Sequence, residues 1–255
     1  MAVAAVHDPH AEELRRARED LAAAYRLCQR FGLNEGIDNH LTLAVPGGDD
    51  RFLLIPYGLH WSEVTASALL IVDADGNTVE GHGFVEPTAF FIHAAIHKAR
   101  RDARCVMHTH MPYALALAMI EGGRLAMAEQ NALRFFGRIA YDDSYGGGAY
   151  GWDEGGRIAA ALGKADALLM ANHGVTVAGP TVAAAWDDLY YLEQACRAQV
   201  LAMSTGRPLR RVPDAIAAEV AASVRAEATG RSANIERHFE ALKRVLIRDG
   251  ADFRA

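Results

Sequence analysis

Two histidines stand two residues apart at the end of an apolar run, Cys105-Val106-Met107-His108-Thr109-His110, and a third follows 63 residues after the second, in Ala171-Asn172-His173-Gly174. On a β-strand alternate side chains share a face, so His108 and His110 project together. His173 likewise follows an apolar run, Ala167-Leu168-Leu169-Met170. Three neutral imidazoles with a fourth position left open form the ligand set of a catalytic zinc site. Iron and manganese are the other metals to consider for such donors. A metal so held polarises a carbonyl and stabilises the oxyanion that develops from it. Single histidines are more often surface or hydrogen-bonded core groups than ligands, and an H-x-H pair alone is a weak signal. The third histidine, closing a separate strand-like run and followed by Gly174, turns the pair into a metal-site expectation.

Other groups able to move a proton or touch a ligand lie around these three. Tyr113, three residues beyond His110, is a candidate proton donor or substrate contact, against the commoner role of core packing. Gln130 and Asn131 form a polar interruption that offers ligand contacts. His93 and His97 are four apart on a helical stretch, a spacing that suits a metal pair. The expected arrangement instead has His93 packed behind the site and His97 facing solvent. Asn172, beside His173, either orients the ligand shell or makes the turn.

The elements that must position these residues follow from periodicity and punctuation. Leu14, Ala17, Leu21, Tyr25, Cys28 and Phe31 make a helical stripe over residues 9–31, which Gly32 stops. Residues 41–45 and 52–56 read as two strands of a hairpin across Pro46-Gly47-Gly48-Asp49-Asp50. A strand at 69–72 ends in the turn cluster 73–77. Pro87 opens a helix to Arg101, with Phe90, Phe91, Ala94 and Ala95 inward. Residues 104–110 read as a strand, and Pro112 opens a helix ended by Gly122-Gly123. The glycine-rich stretch 142–148 reads as a mobile loop. A helix at 153–162, a strand at 167–171, a possible continuation at 175–177 and a long helix from its Thr181 cap to Met203 follow. The last fifty residues look helical and charged. Hairpin-length turns between the early strands argue for an α/β fold with a mixed or antiparallel sheet and helices on both sides, not a parallel doubly wound one.

Composition narrows the function classes. At 255 residues the chain is one large domain or two small ones. With 51% hydrophobic and 23% charged residues it carries a sizeable core and is not disordered. A net charge of −6 without a basic block argues against a nucleic-acid partner. The apolar run Ala114 to Ile120 is too short to span a bilayer. No GxGxxG or GxxxxGK[ST] supports a nucleotide site. Cys28, Cys105 and Cys196 are far apart and odd in number, which fits a reducing cytoplasm. The first ten residues lack the pattern of a signal peptide.

With these residues in view the chain resembles the class II aldolase/adducin family. The likeness runs from about residue 12 to 205. Asn34-Glu35-Gly36-Ile37-Asp38-Asn39, Ile55-Pro56-Tyr57-Gly58, the helix with His93, the run 104–110 and Asn172-His173-Gly174 carry it, in that order. The resemblance implies a three-layer α/β/α sandwich around a mixed, largely antiparallel sheet. It implies a homotetramer with sites at subunit interfaces, and zinc held by His108, His110 and His173. It also divides the chain into a flexible N-terminus (1–11), the family domain (12–205) and a C-terminal helical extension of that domain (206–255). Asn39, Gly58 and Thr88 fall at substrate-binding positions of the family. His40 and His60 would border the pocket, and His40 is taken with Gln130 as a further substrate contact.

The departures carry as much information. In the sugar-phosphate aldolases of the family, a glutamate nineteen residues before the first metal histidine serves as acid/base or fourth ligand; here that position is Ala89. The phosphate-binding serines fall on Pro87 and Thr88, the Thr-Gly phosphate turn on Tyr57-Gly58, and the glycine of a Gly-Asn pair on Asp38. Asp38 repels a phosphate dianion, Pro87 lacks an N–H and Tyr57 fills space. Glu86, three residues before Ala89, is the replacement acid/base candidate, unless it only favours the helix N-terminus. The expected activity is that of a metal-dependent lyase on a small-molecule substrate, a non-phosphorylated hydroxy- or oxo-acid. It would proceed by retro-aldol cleavage or decarboxylation through a metal-stabilised enediolate. Epimerisation or dehydration at the same metal is the first alternative, and an adducin-like interaction module without chemistry the second.

Overall fold

The computed structural model describes residues 8–48, 50–148, 151–226 and 228–255. The chain opens with α1 (Pro9–Phe31) and runs through β1 (His40–Ala44), β2 (Phe52–Leu54), β3 (Leu70–Val72) and β4 (Thr78–Glu80). Then come α2 (Pro87–Ala99), β5 (Cys105–Thr109), α3 (Pro112–Ala118), α4 (Gln130–Leu133), β6 (Ile139–Asp142), α5 (Trp152–Leu162), β7 (Ala167–Met170) and β8 (Gly174–Gly179). Three helices finish it: α6 (Val182–Met203), α7 (Asp214–Ala226) and α8 (Ala228–Arg248).

The strands form one eight-stranded sheet in the order β4-β3-β2-β1-β5-β8-β7-β6. Every neighbouring pair is antiparallel except β6–β7. Side-chain alternation sorts the strands between two cores. Leu41, Leu43, Cys105, Met107, Val175 and Val177 pack with Leu21 and Tyr25 of α1 and Trp186 and Leu189 of α6. Val106, Leu168, Met170 and Ala178 pack with Ile92 and Ile96 of α2 and Ile158 and Leu162 of α5. The result is the α/β/α sandwich that the resemblance implies.

Local signals end the helices where they should. The Asp8 carboxylate accepts from His10 N–H at the start of α1, and Gly32 at φ 66° closes it in the left-handed region. The Thr181 hydroxyl accepts from Ala184 N–H and caps α6.

Several readings from the sequence need adjustment. The helix after Pro112 stops at Ala118, four residues before Gly122, because the chain turns there and Gly123 lies against the Leu117 carbonyl, where an added Cβ would sit 2.0 Å away. Strands β4 and β6 carry no strong sequence signal. Both lie on sheet edges, and β4 is exposed along its length. Residues 1–7 of the segment read as a flexible N-terminus lie outside the described residues, and 9–11 belong to α1. The stretch 142–148 begins in β6, and the Asp142 carboxylate accepts from Ser144 N–H and pairs with Arg157.

The last fifty residues pack back onto the rest. Lys243 donates to Asp20 of α1 at 2.6 Å, Phe253 is buried, and its carbonyl accepts from Ala66 N–H. Among the described residues no helix is long and apolar enough to cross a membrane.

Candidate metal centre

Strand β5 builds the centre. It lies between β1 and β8, with His108 in register opposite His40 on one side and Thr176 on the other. His108 is buried, and its Nδ1 donates to the Val175 carbonyl at 2.9 Å. The lone pair of a neutral ring is therefore on Nε2. His110 follows the strand. Its main-chain N–H donates to Asn39 Oδ1 at 3.2 Å and its Nδ1 donates to Glu35 Oε2 at 2.6 Å. His110 Nε2 is buried and has no partner among the described residues. His173 comes from the turn between β7 and β8, and the ligand nitrogens of the three histidines lie within 4.8 Å of one another.

An orphaned buried ring nitrogen facing two other imidazoles is a lone pair awaiting a Lewis acid. The donor set fits a divalent metal with nitrogen preference, and the partners on the outer nitrogens of His108 and His110 fix those two rings as metal-binding histidines require. Burial holds His108 well below the ordinary histidine range. His173 is pushed down to about 4 by burial first and then by His110, against the opposing pull of Glu154 and Asp142. Both rings are thus neutral near pH 7, the form that binds metal.

The backbone is specialised around the rings. Asn39 (φ 71°) and Asn172 (φ 57°) occupy the left-handed region, which asparagine tolerates better than most residues. A Cβ on Gly174 would lie 2.6 Å from the Thr109 carbonyl oxygen and 2.7 Å from His110 Cδ2, so only glycine lets β8 start this close to His110.

A cavity of about 350 Å³ opens in front of the three rings. Asn39, His40, Glu86 and Thr88 line it, with Asp38 and Tyr57 beside them. The Thr88 hydroxyl donates to the Glu86 carboxylate at the start of α2. Ala89 stands in the first turn of that helix. Gly58 is exposed in the turn after Tyr57 and is not on the lining. Tyr113 packs against the main core with the Arg197 guanidinium 5.6 Å over its ring, and Gln130 is exposed at the start of α4; neither lines the cavity. His60 bonds Ser62 and is also off the lining. A larger groove of about 900 Å³ lies between α2 and α5, but among the described residues the His108, His110 and His173 group alone can hold a metal.

Sequence reasoning missed several neighbours. Glu35 was part of a matched motif, but nothing in one sequence pairs it with His110, 75 residues on. Tyr145 sits with its ring 6.0 Å from His173. His97 is not solvent-facing as expected; it is 4% exposed, stacks on Phe52 and donates from Nδ1 to the Ala103 carbonyl. Thr42, its partner, was legible only as a strand residue.

Comparison with known proteins adds context to this geometry. A family model described as the class II aldolase and adducin N-terminal domain matches residues 19–200. A Caulobacter vibrioides protein described as an aldolase class 2 protein is 40% identical over 192 residues, covering 75% of this chain and 74% of that protein. The alpha-adducin of Rattus norvegicus is 37% identical over 193 residues, which are 74% of this chain but 26% of the adducin. Among solved structures, an aldolase II superfamily protein from Pseudomonas syringae superposes with a TM-score of 0.88 at 35% identity, covering 98% of each chain. An L-fuculose 1-phosphate aldolase from Glaciozyma antarctica does so with a TM-score of 0.84 at 27% identity, covering 99% of this chain and 97% of that one.

Proposed function

The chain belongs to the class II aldolase and adducin family, and from that premise we propose that it is a metal-dependent lyase cleaving a carbon–carbon bond in a non-phosphorylated hydroxy- or oxo-acid. The observation that carries the reading is the buried Nε2 of His110, without a partner among the described residues and grouped with ring nitrogens of His108 and His173 on a cavity wall. These three residues would hold the ion, zinc before iron or manganese. When bound, it supplies Lewis acidity toward a substrate oxygen on which negative charge develops.

The chain's own groups do the rest. Asn39 Nδ2, buried without a partner among the described residues, is a donor for a substrate oxygen. Glu86 lies on the lining where a proton must be held or moved. Tyr113, off the lining of its own chain, keeps a proton-transfer role only if oligomer assembly brings it to a neighbouring cavity. Assembly as a cytoplasmic homotetramer is part of the same proposal.

Two features favour a substrate without phosphate. The lining carries Asp38 and Glu86 and, among the described residues, no lysine or arginine. A phosphate dianion there meets like charge and lacks the cationic donors that phosphate sites use.

Metal analysis of protein purified without added metal, followed by zinc titration, tests the reading. One equivalent per chain, lost in His108→Ala together with turnover, is expected. A chain that binds no divalent metal overturns it and leaves an interaction module, the reading that the adducin relatives fit in part. Product masses then separate cleavage from epimerisation, which leaves mass unchanged, and anomalous diffraction from crystals soaked with pyruvate locates metal and ligand together.

A further inference from the structure

A line of hydrogen-bonding groups runs behind the cavity wall and ends at the metal centre, and its direction is fixed by its far end. His97 Nδ1 lies 2.7 Å from the carbonyl oxygen of Ala103. A carbonyl only accepts, so Nδ1 carries the hydrogen. Burial above all, helped by the Arg104 cation and against the pull of the Ala103 carbonyl, holds His97 down to about 4, so the ring is neutral. A neutral imidazole has one N–H, so its Nε2 must accept, and the Thr42 hydroxyl 2.8 Å away donates to it. Having given its hydrogen, Thr42 Oγ1 accepts from His93 Nδ1 at 2.7 Å. His93, 1% exposed and without a carboxylate partner among the described residues, then accepts at Nε2 from His40 Nδ1 at 3.1 Å. His40 Nε2 is left without a hydrogen. Nothing among the described residues bonds it, and the His40 ring lines the cavity with its centroid 5.3 Å from that of His108.

We propose that this one-way chain, anchored on the Ala103 carbonyl, holds His40 with its Nε2 lone pair turned to the cavity, where it accepts the hydroxyl hydrogen of a hydroxy-acid seated at the metal centre. The ligand half rests on the lyase reading; the tautomer half does not. Thr42, His93 and His97 are positioning residues that act through His40. The arrangement selects for ligands that bring an O–H to this point. An ether of the same shape leaves the acceptor facing a second acceptor, and a site built to bond a hydroxyl rejects the analogue without one.

Nitrogen-15 NMR of histidine-labelled protein, metal-free and zinc-loaded, reads the tautomers directly. His40, His93 and His97 are expected in the Nδ1–H form. Thr42→Val, which keeps the shape and removes the hydroxyl, should leave His97 in that form while His40 and His93 populate both. Thr42→Ser should restore the single form. In calorimetry on zinc-loaded protein, glycolate should bind about tenfold more tightly than methoxyacetate relative to the same ratio in His40→Phe. Thr42→Val should lose most of that difference and Thr42→Ser recover it. An Nε2–H tautomer at His40 in the wild type overturns the chain. An unchanged glycolate preference in His40→Phe with zinc still bound overturns the ligand role. If Thr42→Val does not fold, the wild-type spectrum and His40→Phe decide alone. The tautomers and glycolate preference together with no lyase turnover would sink the lyase reading and leave the tautomer chain and its hydroxyl preference standing.

Discussion

Glu35 Oε2 accepts a hydrogen bond from Nδ1 of His110 at 2.6 Å, joining an exposed carboxylate to a ring whose other nitrogen is buried and has no partner among the described residues. A carboxylate behind a metal-binding histidine fixes its tautomer and raises its basicity as a ligand, and losing such a partner typically costs 10- to 100-fold in metal affinity. Glu35→Ala is therefore expected to weaken zinc binding by about that factor in competition with a chelator. Glu35 is largely exposed, so the melting temperature of the metal-free protein should hardly move. Unchanged affinity would mean that the rings are oriented by packing alone.

Gly174 offers a second test of the centre, through space instead of charge. A Cβ there meets the Thr109 carbonyl and the His110 ring at 2.6 and 2.7 Å. Gly174→Ala must therefore push β8 away from the end of β5 or turn His110 out of the group. Metal stoichiometry below one per chain is expected, with a stability loss of about 1–3 kcal/mol from overpacking. Full occupancy in a variant of normal stability would show that the ligands tolerate a looser spacing.

Much of the fold was legible because its signals are local. The helical stripe of α1, its Gly32 stop, the Thr181 cap and the period-two run into His108 each depend on a few neighbouring residues. His108, His110 and His173, the group that could hold a metal, stood out for the same reason. What was lost depends on pairing between distant segments. β6 becomes a strand through β7 alone, and β4 is an exposed edge whose residues carry no apolar alternation. His97 read as solvent-facing because its partners, Thr42 at 2.8 Å and the Ala103 carbonyl at 2.7 Å, lie on other elements. Tyr113 was singled out by its place three residues beyond His110 and Gln130 by lying in a polar interruption, and neither decides whether a side chain reaches the cavity.

Adjacent glycines in α5 separate close packing from helix propensity. A Cβ on Gly155 would lie 2.4 Å from the Phe91 carbonyl of α2, whereas one on Gly156 meets nothing within 4 Å. Gly155→Ala should force the two helices apart, at a cost of about 1–3 kcal/mol. Gly156→Ala should stabilise by about 0.5–1 kcal/mol, since alanine is the better residue in an exposed helix interior. Denaturant melts of both variants check the pair, and equal effects would contradict the close approach of α2 and α5.

Acid stability should follow the buried histidines behind the cavity. Burial pushes His97 down to about 4 and His93 well below the ordinary value. Unfolded, both titrate near 6.5. Above that pH neither state takes up protons at these rings and stability does not depend on them. As pH falls from 6.5 toward 4 the unfolded chain binds protons that the folded one refuses. Stability should then drop by up to about 1.4 kcal/mol per pH unit for each ring. Urea melts of metal-free protein at pH 7.5, 6 and 5 measure the slope, and a flat profile would mean that these rings carry no burial penalty.

Charge at the cavity mouth should decide which anions enter. Asp38 and Glu86 stand on the lining, which among the described residues has no lysine or arginine. A monocarboxylate suffers less repulsion there than a phosphate dianion, because the Coulomb energy scales with charge. Asp38 is exposed and screened by salt, so its removal is worth a modest factor. Asp38→Asn is expected to raise the affinity of zinc-loaded protein for inorganic phosphate by about threefold at low ionic strength. Acetate affinity should change less, and the phosphate gain should fade as salt is added. Calorimetric titration of both anions measures the ratio. Wild-type protein that prefers phosphate to acetate, or an Asp38→Asn variant with no gain at low salt, would remove the electrostatic case against a phosphorylated substrate.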